Sequence, residues 1–258
     1  MYINSLKEKM KKGVPITGCM ISAALPALVE ISALAGFDFV FIDAEQGPLS
    51  EKDCEILVLA AEARGIVPLI RVPQNSPEVV LRYMDVGAMG IIMPGVKNRE
   101  EAERVVRSVK YFPRGERGLT AARASDYGMG KPMSEYVVEA NRETIVMAII
   151  ESQEAIENIR GILSVDDLDG VIMGAGDLSQ DMGYPGQTGH PEVEAAFQMA
   201  LDMGLGSGKA FGSVLRAGET PDKYLNRGVN ILLTSAFSLL AHGAKGFVSK
   251  ASASSRKI

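Results

Sequence analysis

The chain has 258 residues, 27 Lys and Arg against 32 Asp and Glu for a formal net charge of -5, 47% hydrophobic residues, two cysteines and no tryptophan. The acidic balance argues against a sequence-independent nucleic-acid surface and an anionic-membrane anchor, both of which need clustered Lys and Arg. No apolar run approaches the ~20 residues of a membrane span, and Cys19 and Cys54 stand apart, with neither a disulfide framework nor zinc-ligand spacing. The first residues lack a basic-then-apolar signal layout, so a cytoplasmic protein folding as one domain over residues 1–258 is expected.

Short apolar runs recur, each followed by a stretch of helical period, the alternation of βα units around a parallel sheet. The predicted strands cover residues 17–22, 39–43, 67–72, 90–94, 145–151, 170–174, 206–212 and 229–234. Amphipathic helices are predicted over 25–34, 51–63, 77–86, 100–110, 152–163, 192–203 and 221–227. Such a succession fits a (β/α)8 barrel better than an open doubly wound sheet, and no GxGxxG opens a helix after the first strand. Residues 110–142 break the rhythm with a Gly-, Arg- and Tyr-rich stretch, expected to be a functional lid or a mobile segment. The composition of residues 249–258 predicts a frayed tail.

In a barrel of this kind the chemistry stands at the C-terminal ends of the strands. There the sequence places Asp43, Glu45 and Gln46 after the second strand, Arg71 at the third, Glu151 at the fifth and Asp177 after the sixth. Carboxylates ending apolar strands call for a cation. Oxygen donors without His or Cys suit a hard divalent ion, magnesium or manganese, with cobalt as a further option. Glu151 and Asp177 come from neighbouring strands and form the natural pair; the alternative is that each caps the helix that follows it. Arg71 meets either a ligand oxyanion or the carboxylates of Asp43 or Glu45. Gly174, Ala175 and Gly176 expose backbone N–H groups able to cradle a carboxylate. His190 and His242 lie away from the predicted strand ends, which leaves little support for triad chemistry. Lys97 and Lys209 are the candidates for imine chemistry, Lys97 opening a helix and Lys209 lying near the seventh strand.

A set of segments distributed along nearly the entire chain resembles the HpcH/HpaI aldolase family, metal-dependent aldolases acting on hydroxylated 2-oxo acids. They are FDFVFIDAEQGP, PLIRVP, YMDVGAMGIIMPGVKNREEAERVV, YFPRGERG, AARASDYG, EANRE, IIES, GVIMGAGDLSQDMG and HPEV. The resemblance implies a (β/α)8 barrel whose last helix is exchanged between subunits, in a homohexamer built as a trimer of dimers. It implies metal ligation by Glu151 and Asp177, enolate stabilisation by Arg71, and substrate-carboxylate binding by the backbone of Gly176 and Asp177 beside Ala175. It also assigns Asp85, in the helix after the third strand, to support of the base.

The chain departs from the family pattern at instructive places. Gln46 stands where the family has the histidine assigned to proton transfer, and an amide cannot accept and return a proton near neutral pH. Ile149 replaces a frequent Gln, Gly174-Ala175-Gly176 replaces GPS or GPA, and Thr234-Ser235-Ala236 stands at a late Gly-x-Asp. The expected function is therefore a metal-dependent carbon–carbon lyase working through a pyruvate enolate, with Glu45, Asp85 or a metal-bound hydroxide standing in for the lost imidazole. Three alternatives are oxaloacetate decarboxylation, a citrate-forming condensation with an acyl-CoA using Arg114, Arg117 and Arg123 at its entrance, and a barrel that binds without turnover.

Overall fold

Alternating side chains of the short apolar runs point to opposite faces, and here both faces are buried, as a closed parallel barrel requires. The computed structural model describes residues 3–215 and 219–255. Its strands are β1 (Ile16–Ile21), β2 (Phe39–Asp43), β3 (Val67–Arg71), β4 (Gly90–Met93), β5 (Ile145–Ile150), β6 (Gly170–Met173), β7 (Ala210–Val214) and β8 (Ile231–Ser235). All pair in parallel in sequence order, and β8 closes on β1. The family-type (β/α)8 barrel expected from sequence is the observed fold.

The helices are α1 (Ser5–Lys11), α2 (Pro26–Leu34), α3 (Glu51–Arg64), α4 (Pro77–Asp85), α5 (Arg99–Val109), α6 (Met133–Glu143), α7 (Gln153–Glu157), α8 (Ile159–Leu163), α9 (Ala175–Asp181), α10 (Pro191–Leu205), α11 (Pro221–Leu225) and α12 (Ala236–Ser255). Val40 and Ile42 of β2 join the layer between strands and helices, whereas Phe39 and Phe41 fill the barrel interior with Leu69, Met147, Ile172 and Leu233. Leu6 and Met10 of α1 belong to that interior cluster, so α1 plugs the N-terminal end of the barrel. The Phe39 ring needs Gly18 on the neighbouring strand, since a Cβ there would overlap it.

Several boundaries differ from expectation. The seventh strand starts at Ala210, because α10 runs past Gly204 to Leu205 and the glycine-rich residues 206–209 form the turn beyond it. The helix predicted over 152–163 is two short ones meeting at Asn158, whose backbone leaves the helical region (φ -93°, ψ 5°). The predicted tail is helical through Ser255, its Ala- and Ser-rich sequence continuing α12; residues 256–258 lie outside the described residues. The irregular stretch 110–142 also receives a different place. It joins the end of α5 to the start of β5, hence it lies at the N-terminal end of the barrel, away from the face where strand ends present chemistry. It is no lid over that face. It contains a 3-10 turn at Arg123–Gly128 and all but the last residue of α6.

Candidate active site at the C-terminal mouth of the barrel

Asp43 and Arg71 are register partners at the ends of β2 and β3, so the ladder itself sets them side by side. The Arg71 Nε donates to Asp43 Oδ1 at 2.8 Å and Nη2 to Oδ2 at 2.5 Å, a bidentate fork buried on both sides. Nη1 lies 2.9 Å from Glu45 Oε2, an ion pair without hydrogen-bond alignment, which leaves that buried oxygen without a hydrogen-bond partner. The backbone N–H groups of Glu45 and Gln46 donate to Asp43 Oδ1 at 3.2 and 3.1 Å. One carboxylate therefore fixes both the guanidinium and the turn that presents Glu45 and Gln46. Of the two readings open for Arg71, the ion pair is realised, yet its five N–H groups exceed these contacts and leave donors for a ligand.

Glu151 follows β5. It does not cap the next helix: the cap is Ser152, which accepts from Ala155 N–H. Its Oε1 instead accepts from the Gly95 N–H at 2.6 Å, just past the end of the neighbouring strand β4. Gly174 makes room for it, because a Cβ there would sit 2.7 Å from Glu151 Oε2. Burial pushes Glu151 up to about 7, with the charges of Asp177 and Glu45 adding to it and the Gly95 amide and Arg71 opposing. Burial likewise raises Glu45, against Arg71 and with Asp43 and Asp177. Asp177 occupies the first turn of α9, after Gly174 at its N-cap, and its side chain is exposed to the mouth.

Gln46, Arg71, Glu151, Ala175, Gly176 and Asp177 line one cavity of about 250 Å3, floored by Phe41, Ile149 and Ile172. A site of this size takes a metabolite, being smaller than the ~300–1,000 Å3 usual for drug-sized ligands. Among the described residues no three or more of His, Cys, Asp and Glu form a preformed ion cage. Two carboxylate donors, with the rest supplied by water and ligand, match the habit of magnesium-type ions. Burial, with the charges of Asp177 and Glu45 added to it, raises Glu151 to about 7, and a bound cation would offset both. The residues present thus fit a divalent cation.

Other candidates fall elsewhere. Asp85 ends α4, which starts beyond the mouth and runs to the opposite end of the barrel; there it accepts from Arg117 Nη2 at 2.7 Å. Its expected support of the base is not met within one chain. Arg114 pairs with Asp167 at 2.9 Å and Arg123 with Glu62, so the three arginines proposed for a nucleotide entrance serve ion pairs at the N-terminal end. Lys209 precedes β7 at that same end and donates to the Val165 carbonyl at 2.9 Å, while Lys97 is exposed beside Glu154. His190 caps α10 and stacks on Tyr184 at 3.6 Å, and His242 lies exposed on α12. Burial raises the Cys19 thiol and pushes Cys54 up to about 12, so neither is a ready nucleophile. Sequence reasoning did not single out the Gly95 amide; the signal was the turn directly after β4, at another strand end.

Residues 17–238 match the family described as HpcH/HpaI aldolase/citrate lyase. The chain belongs to this family. It is 34% identical over 250 residues to a 4-hydroxy-2-oxo-heptane-1,7-dioate aldolase of Klebsiella pneumoniae, covering 96% of this chain and 93% of that protein. Among solved structures it resembles an HpcH/HpaI aldolase from Desulfitobacterium hafniense at 35% identity and TM-score 0.85, covering 95% of each chain. It also resembles the citrate synthase SbnG at 30% identity and TM-score 0.86, covering 98% of this chain and 99% of the other.

Proposed function

We propose that this family member is a divalent-metal-dependent aldolase that cleaves or forms a hydroxylated 2-oxo acid through a pyruvate enolate. The carrying observation is the convergence of Glu151, Asp177 and Arg71 on one small cavity at the strand ends. Glu151 and Asp177 would hold the ion, magnesium or manganese, with cobalt as a further option, and the bound ion would polarise the 2-oxo group as a Lewis acid. Arg71, locked by Asp43, presents fixed positive charge where the enolate oxygen develops, so it needs no reorganisation during the reaction. The N–H groups of Gly176 and Asp177, in the first turn after Ala175, orient the substrate carboxylate.

In cleavage the 4-hydroxyl loses its proton, the C3–C4 bond breaks, and its electron pair becomes the enolate while the aldehyde leaves. The enolate then takes a proton at C3 to give pyruvate. Glu45 is the group we assign to proton transfer, since its half-buried carboxylate stands beside Arg71 at the turn after β2 and burial raises it above the ordinary carboxylate value. Gln46, exposed at the rim, orients substrate or water by its amide.

A second reading has its own support. The absence of an imidazole at position 46 is no obstacle to forming the enolate from oxaloacetate by loss of carbon dioxide, and SbnG, the similar solved structure, is a citrate synthase. Comparing metal-dependent cleavage of a 4-hydroxy-2-oxo acid with oxaloacetate decarboxylation in one preparation decides between them. Dominant aldol cleavage supports the first reading; decarboxylation alone overturns it.

The protein acts on a small acid in the cytoplasm, as a homo-oligomer in which α12 is covered by a second copy. Every described side chain from Phe237 to Ala253 is exposed, including Leu240, Phe247 and Val248, and within the chain α12 meets chiefly β1 and β8 near its start. A helix so bare of intrachain packing needs a partner surface. The hexamer implied by the family resemblance would supply one.

A further inference from the structure

Opposite the catalytic mouth, where β5, β6 and β7 begin, a second cavity of about 290 Å3 opens beside α1. Five cationic side chains line it, Lys7 and Lys11 of α1 with Arg114, Arg142 and Lys209, against the two carboxylates of Asp167 and Asp169. This local excess stands against a net charge of -5 for the whole chain. The residues outside the described ones carry no acidic side chain, so none of them adds a counter-charge.

The positive charge reaches into the interior. The Lys7 side chain is only 9% exposed, and its Nζ donates to the Thr144 carbonyl at 2.6 Å while lying 3.2 Å from Asp169 Oδ1. Fully buried Lys110 donates to the same carbonyl at 2.8 Å, and its other acceptors, the Asn141 carbonyl and the Thr144 hydroxyl, are uncharged. Two ammonium groups thus crowd one oxygen, and burial together with the Lys7 charge lowers Lys110 to about 7. Asp169 also accepts the Val146 N–H at 2.9 Å, so its one charge is shared. At the rim the donors are only partly used. Arg114 gives Nη1 to Asp167 at 2.9 Å and Arg142 gives Nε to Glu143 at 2.5 Å, which leaves further N–H groups on both forks. Lys209 gives one N–H to the Val165 carbonyl at 2.9 Å, and exposed Lys11 has no ion-pair partner among the described residues.

We propose that this cavity is a binding site for a small molecule bearing a phosphate group, separate from the catalytic mouth and held by Lys7, Lys11, Arg114, Arg142 and Lys209. A phosphate carries up to about two negative charges on three acceptor oxygens, enough for donors that converge from α1, α6 and the start of β7. Guanidinium forks match its geometry and ammonium groups add point charge, whereas a planar monoanionic carboxylate would engage fewer of them. A cleft lined by one sign of charge also concentrates the field that draws such a ligand in. The volume, at the lower edge of the ~300–1,000 Å3 usual for ligand pockets, suits a single phosphorylated metabolite or the free ion. Bound there, it would tie the α1 plug to the barrel.

The test is calorimetric titration of the full chain, kept free of divalent metal with EDTA, against inorganic phosphate and glycerol 3-phosphate at fixed ionic strength. One site per chain with a Kd of about 1 mM or tighter is expected. Arg142→Gln combined with Lys209→Gln should weaken binding at least about tenfold, whereas Arg71→Ala at the mouth should change it less than about twofold. Should the double variant not fold, Lys11→Glu, at an exposed position, should weaken binding in the same direction. Thermal melting gives a second readout, because a ligand of the folded state raises Tm; phosphate should do so beyond chloride of equal ionic strength, and the double variant should lose the difference. Tighter binding of glycerol 3-phosphate makes an ester the ligand and tighter binding of inorganic phosphate makes it the free ion, and either supports the proposal. Absent binding, binding untouched by the rim variants, binding abolished by Arg71→Ala, or citrate bound more tightly than both phosphates overturns it. No turnover is read, so the outcome is independent of the aldolase reading.

Discussion

Glu151 holds a proton near neutrality because it is buried beside Asp177 and Glu45, with its folded value up to about 7 against an ordinary 4.5. Between those two values the folded chain binds more protons than the unfolded one, so this group makes the metal-free barrel lose stability as pH rises. Metal affinity runs the other way, since only the carboxylate ligates. It should fall about tenfold per pH unit below about 7. Calorimetric titration with manganese at several pH values checks this; an affinity independent of pH contradicts it. Glu151→Gln should weaken binding at least about tenfold, about 1.4 kcal/mol, and flatten the pH dependence. Gln46→His should raise aldol cleavage by adding an imidazole beside Glu45, and an unchanged rate would mean that Glu45 alone carries the proton. Much of this was legible in the sequence, because charged residues ending apolar strands have one physical reason to be there. The Asp43 fork was legible only as an alternative, since the ladder register that brings it to Arg71 is a tertiary fact. Asp85 stands in the helix after the third strand as the sequence indicates, and its position at the end of α4 carries it away from the mouth of its own barrel.

Among the elements, α1 and the stretch between α5 and β5 were the least legible. Helix α1 has seven residues, too short for periodicity to stand out, yet Leu6 is fully buried in the barrel interior. Leu6→Ala should cost about 2–5 kcal/mol in chemical denaturation; a loss under about 1 kcal/mol would mean that α1 is not the plug. In the irregular stretch, Arg117 is buried against the Tyr111 ring, 4.8 Å from its centroid, and its ionic partner is Asp85. Asp85→Asn leaves that guanidinium uncompensated and should cost about 3 kcal/mol of stability in chemical denaturation; an unchanged stability would contradict the structural weight given to this pair. Length and composition gave the stretch the look of a lid, but the topology turns on which end of the barrel it connects, and no local pattern encodes that. Lys110, ending α5, donates to the carbonyls of Asn141 and Thr144 and to the Thr144 hydroxyl, tying α5 to the start of β5.

For the assembled protein, the regular alternation of strand and helix made the barrel readable, while the fate of α12 was not. Its apolar residues are exposed in the single chain, and the second copy proposed above would give them a reason to be apolar. Light scattering should show an oligomer, and Leu240→Asp with Phe247→Asp should shift it to smaller species; a monomeric wild-type chain would contradict the covered-helix account. The central claim is that Glu151, Asp177 and Arg71 together stabilise the enolate of pyruvate. It is tested most directly by following the pyruvate methyl signal in deuterium oxide by proton NMR. The account predicts exchange that requires magnesium or manganese, falls at least about a hundredfold in Arg71→Ala and Glu151→Gln, and survives in the absence of any aldehyde. Exchange no faster than buffer with metal present, or undiminished in those two variants, would contradict it.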